Sequence, residues 1–260
     1  MSELRLISIK SAREIDLMRK AGKITAAARR LAGEMVVPGM STWEIDKAVF
    51  NLIKEQGAIP SFKGYNNFPG SACISVNDEV IHGIPRKRRL LQAGDIVSVD
   101  VGAIWQGYHG DCAGTFACGT ISAEAQRLID VTRQSFFEGI AFAKVGHRVL
   151  DIGAAVQRYV EKQGFSVVRD YIGHGVGTKL HEAPDVPNYA DKGRIYQNSR
   201  LQAGMTLAVE PMVNAGTWNI KVLSDGWTVK TADGSLSAHY ENSILITEGE
   251  AEILTPCEGI

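Results

Sequence analysis

The chain has 260 residues, 45% hydrophobic and 22% charged, with a net charge of −1. That is the make-up of an ordinary globular protein, and its near-neutrality gives no global reason to bind nucleic acid or an anionic membrane. No run of about 20 apolar residues is present to cross a bilayer, and the opening MSELRLISIKSAREID lacks the apolar centre of a signal peptide, which points to the cytoplasm.

Four cysteines (Cys73, Cys112, Cys118 and Cys257) lack paired-motif spacing and read as reduced thiols. Ser11-Ala-Arg-Glu14 is a capping box that opens a helix to about Leu31, with Ile15, Met18, Ala21, Ile24, Ala28 and Leu31 as its apolar stripe. Ser41-Thr-Trp-Glu44 opens a second helix that ends at Gly57. Residues 59–70 (IPSFKGYNNFPG) read as an aromatic-bearing loop. Short strands CISV and EVIHGI follow. LQAGDIVSVDVGAIWQGYHGD (91–111) then reads as a hairpin turning at Gln106-Gly107. Helices are expected from Ser122 to about Ala143 and from Leu150 to Gln163, with strands and Gly-rich turns beyond.

In the hairpin, Val97, Val99 and Val101 point one way, and Ile96, Ser98, Asp100 and Gly102 the other. A two-residue turn puts Asp100 and Asp111 on one face, opposite or diagonal. Facing carboxylates repel unless a cation lies between them. In isolation the pair reads more simply as a turn cap and a solvated side chain; the rest of the chain reverses that.

The chain repeats itself. Residues 39–58 align without gaps to 146–165, and LQAGDIVSVD (91–100) aligns to LQAGMTLAVE (201–210). The offsets, 107 and 110, nearly agree. They imply two related halves, about 10–120 and 121–255, within one domain spanning 1–260. The second alignment puts Glu210 where the first half has Asp100.

Asp100, Asp111, Glu210 and Glu241 (in SAHYENSILIT, read as one alternating strand) together with a histidine suit a divalent transition metal better than calcium or magnesium alone. His82 in VIHGIP, His174 in IGHGVG and His181 in HEAP are the histidines in distinctive settings. IGHGVG is not a dinucleotide fingerprint, because its glycine spacing fails, and His181-Glu182 lacks the second histidine of HExxH.

From about residue 4 to 255, and through DVGAIWQGYHGD, GHGVGTKLHEAP, LAVEPMV and SAHYEN in order, the chain resembles the type I methionine aminopeptidases. The resemblance implies an α+β pita-bread fold, with two pseudo-symmetric α/β halves around a central antiparallel sheet. It implies two divalent metal ions (cobalt, manganese, iron or zinc) held by Asp100, Asp111, His174, Glu210 and Glu241, with Asp111 and Glu241 bridging. Glu210 would also move a proton, His181 would stabilise the oxyanion, and His82 would contact the scissile nitrogen. Tyr65, Phe68, Cys73, His82, His181 and Trp227 match substrate-binding positions, with Leu180 nearby, and Cys112 is a small packed residue. Asn77 and Ser237 match a monovalent-cation site (sodium or potassium).

Against the commonest pattern, Phe68 has a tyrosine counterpart, Leu180 a phenylalanine, His239 a glutamine and Asn242 a histidine. The implied enzyme is a monomer that removes the initiator methionine from nascent chains when the second residue is small. Arg86-Lys-Arg-Arg89 reads as a solvated loop, or as a ribosome contact. The alternatives are an Xaa-Pro aminopeptidase or dipeptidase of the same fold, and a metal-free binding module.

Overall fold

The structure is a computed structural model that describes residues 6–190 and 198–256; Cys257 and the first five residues of the N-terminal segment lie outside that range. In chain order the elements are α1 (Ala12–Glu34), α2 (Thr42–Glu55), β1 (Ile59–Pro60), a 3-10 turn (Tyr65–Asn67), β2 (Ala72–Val76) and β3 (Glu79–Ile81). Next come β4 (Ile96–Trp105), β5 (Tyr108–Ala117), α3 (Ala123–Ile140), α4 (Val149–Lys162), β6 (Ser166–Val167), β7 (Gly173–Gly175) and β8 (Glu182–Val186). The remainder are β9 (Thr206–Val209), β10 (Met212–Asn214), β11 (Ile220–Val222), β12 (Val229–Thr231), β13 (Ser237–His239), β14 (Glu241–Leu245) and β15 (Glu252–Ile253).

Both expected capping glutamates accept the N-cap amide, Glu14 from Ser11 at 2.8 Å and Glu44 from Ser41 at 2.9 Å. That closes one orphan donor at each helix start. α1 runs past Leu31 to Glu34. α3 stops short of Ala143, because Phe142 and Ala143 bond back three residues, to Gly139 and Ile140, and tighten the last turn. α2 and α4 have the same length, 14 residues, and sit at the offset the repeat predicts.

A nine-stranded sheet holds strands of both repeats in the order β1-β4-β5-β14-β9-β7-β8, with β2 on β4 and β15 on β14. α1 and α2 cover the first half of it: Ile24, Ala28, Ile45 and Val49 pack against Ile74, Val97, Val99 and Val101. α3 and α4 contribute Phe136, Val149 and Ile152 to a second cluster with Leu207, Val209 and Ile244. The valine face of β4 is thus core, as its alternation predicts. Two three-stranded sheets, β13-β10-β6 and β11-β12-β3, complete the β structure. No described helix is long and apolar enough to cross a membrane.

Two local expectations change. EVIHGI is a strand only to Ile81, because His82 turns into the left-handed region (φ 58°). SAHYENSILIT is two strands, not one: β13 pairs with β10 in a small sheet, and β14 pairs with β5 and β9 in the large one, with the switch at Tyr240. All five residues of β14 are buried, so it has no solvated face for its side chains to alternate onto. Within IGHGVG, Gly173–Gly175 form β7.

Candidate active site

β4 and β5 pair in full register from Ile96↔Ala117 to Trp105↔Tyr108, leaving Gln106-Gly107 as a two-residue turn with both φ positive (47° and 87°). This matches the hairpin chemistry of a type I′ turn. The register sets Asp100 opposite Ala113 and Asp111 opposite Gly102. The two carboxylates are therefore diagonal neighbours on one face. β14 lies on the other side of β5, with Glu241 opposite Ala113. β9 follows, and Glu210 is the residue after its last, Val209. β7 next to it carries His174 opposite Ala208. Five consecutive strands thus deliver Asp100, Asp111, Glu241, Glu210 and His174 to one cavity of about 440 Å³.

His174 is placed by its glycines. A Cβ on Gly173 would lie 2.3 Å from the Ala208 carbonyl oxygen, and one on Gly175 2.3 Å from that of Ala183. Only glycine lets the neighbouring backbones close in. The His174 Nδ1 lies 2.8 Å from the Gly175 carbonyl, which can only accept, so Nδ1 carries the proton. Nε2 is left with a bare lone pair, directed at Glu210 Oε1 (3.4 Å) and Asp111 Oδ2 (3.8 Å). Burial, then the nearby His181, lower this imidazole to about 3, so it stays neutral.

A lone pair facing two carboxylates is unfavourable without a cation among them. The carboxylates carry the same sign of strain. Burial raises Asp100 to about 7, with the Arg29 guanidinium pulling the other way. Asp111 lies well above the ordinary range, through burial and the charges of Asp100 and Glu210. Burial also raises Glu210 and Glu241 well above it, with their acidic neighbours adding to the effect. Asp100 Oδ1, Asp111 Oδ1 and Glu241 Oε1 are buried without a hydrogen-bond partner among the described residues. Asp111, His174 and Glu241 bring ligand atoms within 4.8 Å of one another, and so do Glu210, His239 and Glu241. Orphaned oxygens, a bare imidazole nitrogen and mutual repulsion fit divalent cations bound between them.

The other wall of the cavity is apolar. Phe62, Phe68, Cys73 and Leu180 form a buried cluster with Ile84 and Trp227 against it. Phe68 and Trp227 meet edge to face at 5.0 Å. The His82 ring stands edge-on to Tyr171 (5.4 Å) and Trp227 (5.9 Å), and burial lowers it to about 4. Its φ is positive, 58°, a region that non-glycine residues enter uncommonly. His181 lies 4.2 Å from His174, ring to ring, and its Nδ1 is 2.9 Å from the Tyr65 hydroxyl. The residues expected from the sequence for catalysis, substrate and divalent metal line this one cavity: Tyr65, Phe68, Cys73, His82, Asp100, Asp111, His174, His181, Glu210, Trp227 and Glu241.

Phe62 and Tyr171 line the cavity too and were not singled out in the sequence; the signal was an aromatic in the 59–70 loop and a tyrosine three residues before His174. Asn77 and Ser237 are brought together by a Ser237 N–H to Asn77 carbonyl bond of 2.9 Å. Cys112 is fully buried, and Cys73, Cys112 and Cys118 form no disulfide among the described residues.

Such a centre, with a carboxylate-rich cation site at the end of an apolar pocket in a two-half α+β frame, is that of a metallopeptidase. The chain belongs to metallopeptidase family M24, whose model matches residues 16–248. Within that family it is similar to the methionine aminopeptidase of Clostridium acetobutylicum, at 52% identity over 97% of this chain and 100% of the relative. The crystal structure of the Thermotoga maritima methionine aminopeptidase superposes with a TM-score of 0.93 at 46% identity, covering 96% of this chain and 99% of that one. The prolidase of Pyrococcus furiosus shares the pita-bread fold alone, with a TM-score of 0.77 at 24% identity, over 96% of this chain and 66% of that one.

Proposed function

We infer that this chain is a metallo-aminopeptidase that hydrolyses the first peptide bond of substrates beginning with methionine. The observation that carries the reading is the junction of four clustered carboxylates with an apolar pocket in one cavity. Nearly full-length similarity to methionine aminopeptidases supports the substrate.

Asp100, Asp111, His174, Glu210 and Glu241 are the residues that hold two divalent ions, with Asp111 and Glu241 central to the cluster. When bound, those ions supply Lewis acidity that lowers the pKa of a water and polarises a carbonyl. Glu210, beside His174 at 3.4 Å in the same cavity, takes the water's proton and passes it on. Nε2 of His181 donates a hydrogen bond to the oxygen of the scissile carbonyl as charge builds there. His82, neutral through burial, sits over the leaving nitrogen.

Phe68, Cys73 and Trp227 hold the methionine side chain, and Tyr65 and His181 form one side of the mouth. An unbranched apolar side chain fits a pocket with such walls, and a bulky second residue does not fit the mouth. The same reading includes a monovalent cation at Asn77 and Ser237. It places the enzyme in the cytoplasm, working as a monomer on nascent chains. The 86–89 cluster is partly engaged within the fold, Arg86 with Asp225 at 2.8 Å and Lys87 over the Trp43 ring, and its remaining charge is the surface for a ribosome contact.

The test is a peptide panel with metal-reconstituted protein. Met-Ala-Ser is cleaved, and Met-Leu-Ser and Ala-Pro-Ala are not. Cleavage of Ala-Pro-Ala would move the chain to the Xaa-Pro branch. Absence of any cleavage with metal bound would restore the binding-module alternative.

A further inference from the structure

We propose that His239 is an additional protein ligand of the dinuclear centre, binding the cation shared by Glu210 and Glu241, so that the centre carries two imidazoles rather than one. The proposal rests on the reading above that the acidic cluster holds divalent ions. It adds a residue outside the five that the family resemblance implies.

The placement comes from the break at Tyr240. β13 ends at His239, and its partner β10 sets Met212, two residues after Glu210, opposite it. Two residues further along, the chain enters the large sheet as Glu241. The split therefore brings His239 within reach of both glutamates. Thr115 holds the His239 backbone from both sides: its hydroxyl accepts from the His239 N–H and donates to the His239 carbonyl, each at 2.9 Å.

The ring is 2% exposed, and its Nε2 is buried without a hydrogen-bond partner among the described residues. Nε2 lies 3.8 Å from Glu241 Oε2, too far for a hydrogen bond. Two ligand atoms on one ion, each at roughly 2.0–2.2 Å, sit about 3 to 4 Å apart. The His239–Glu241 gap falls within that span, as do the gaps from His174 to Glu210 and Asp111. The two imidazoles and the carboxylates thus form two overlapping ligand groups, Asp111–His174–Glu241 and Glu210–His239–Glu241, sharing Glu241.

Imidazole favours late transition ions over magnesium or calcium, so a second one biases the centre further towards nitrogen-preferring metals. A glutamine in place of His239 could donate to a carboxylate but could not supply this nitrogen.

The experiment counts imidazoles by X-ray absorption of the full chain loaded with two equivalents of cobalt(II), alongside calorimetric titration of the metal. The expected result is two imidazoles per pair of ions in the unaltered chain and one in His239→Gln, with one of the two ions bound roughly 10- to 100-fold more weakly. His239→Gln keeps the side-chain volume close and adds a donor, and its melting temperature without metal reports whether it folds. Two bound ions with a single imidazole in the unaltered chain, unchanged in His239→Gln, would overturn the proposal and leave the metal reading intact. Failure of the unaltered chain to bind cobalt would overturn both.

Discussion

The Tyr65 hydroxyl lies 2.9 Å from Nδ1 of His181, and the two rings face each other at 5.4 Å. With the phenol donating, Nδ1 is the acceptor and Nε2 carries the ring proton, which is the state needed to donate to a developing oxyanion. Tyr65 then acts on the reaction through His181. His181→Ala is expected to lower kcat by roughly 10²–10³. Tyr65→Phe should lower it by about 2- to 10-fold, the worth of one hydrogen bond, with little change in KM. The double variant should match His181→Ala, since the tyrosine has nothing left to orient. Additive losses, or a loss confined to KM, would mean that Tyr65 simply lines the pocket.

Asp111 and Glu241 bring ligand atoms together in one group, which gives a second prediction. Asp111→Asn and Glu241→Gln keep shape and remove charge in the middle of the cluster. Each should weaken metal binding and reduce turnover to background, while circular dichroism shows an intact fold. Because each replaces a carboxyl group that the metal-free fold must hold protonated, the metal-free variants should melt higher than the metal-free parent at neutral pH. Near-normal turnover in either variant would contradict its place in the metal site.

The pH dependence of the metal-free protein follows from the same repulsion. Asp100 titrates at about 7 in the fold, and Asp111, Glu210 and Glu241 are raised well above the ordinary range. His82, His174 and His239 are depressed to about 4, 3 and 3 from an ordinary 6.5. Above about pH 6.5 these histidines are neutral in the folded chain and less than half protonated in the unfolded one. There the folded chain alone retains carboxyl protons, so it binds more protons than the unfolded one, and stability falls as pH rises. The melting temperature of chelated protein should therefore drop from pH 6.5 through pH 8. Saturation with divalent metal should abolish or invert that slope. A chelated protein that grows more stable over this range would contradict the raised carboxylates.

Arg29 gives a prediction about the frame. This α1 side chain is 1% exposed, and its guanidinium donates to the carbonyls of Ala113 and Glu241 (2.8 Å each) and to Asn242 Oδ1 (3.1 Å). It ties the helix to the strands on both sides of the acidic cluster, and its charge lowers Asp100. Arg29→Met should cost about 3–5 kcal/mol by leaving buried acceptors unpaired. The melting temperature should fall by on the order of 10 °C, and metal binding should weaken. Retention of both would mean that water replaces the guanidinium without loss.

The parts of this molecule legible in sequence were those written in local periodicity. The capping boxes at Ser11 and Ser41 placed two helix starts, and period-two alternation with Gln106-Gly107 placed the hairpin and put both aspartates on one face, while the register made them diagonal. The internal repeat paired Asp100 with Glu210, and resemblance supplied the rest of the ligand set. What local pattern could not show was decided by contacts distant in sequence. The strand SAHYENSILIT breaks at Tyr240 because its two ends pair with different sheets. His174 belongs to a strand only because β8 and β9 flank it. Arg29 looks like any other helix arginine until its partners, more than 80 residues away, are known. Phe62 and Tyr171 reach the pocket from segments whose course no periodicity records.

The most direct measurement titrates chelated protein with cobalt(II) or manganese(II) and follows metal occupancy and methionine release from Met-Ala-Ser in the same samples. The account predicts no release without metal, release that rises with occupancy, and loss of both together in Asp111→Asn and Glu241→Gln. Release from fully chelated protein, or full occupancy in either variant, would contradict it.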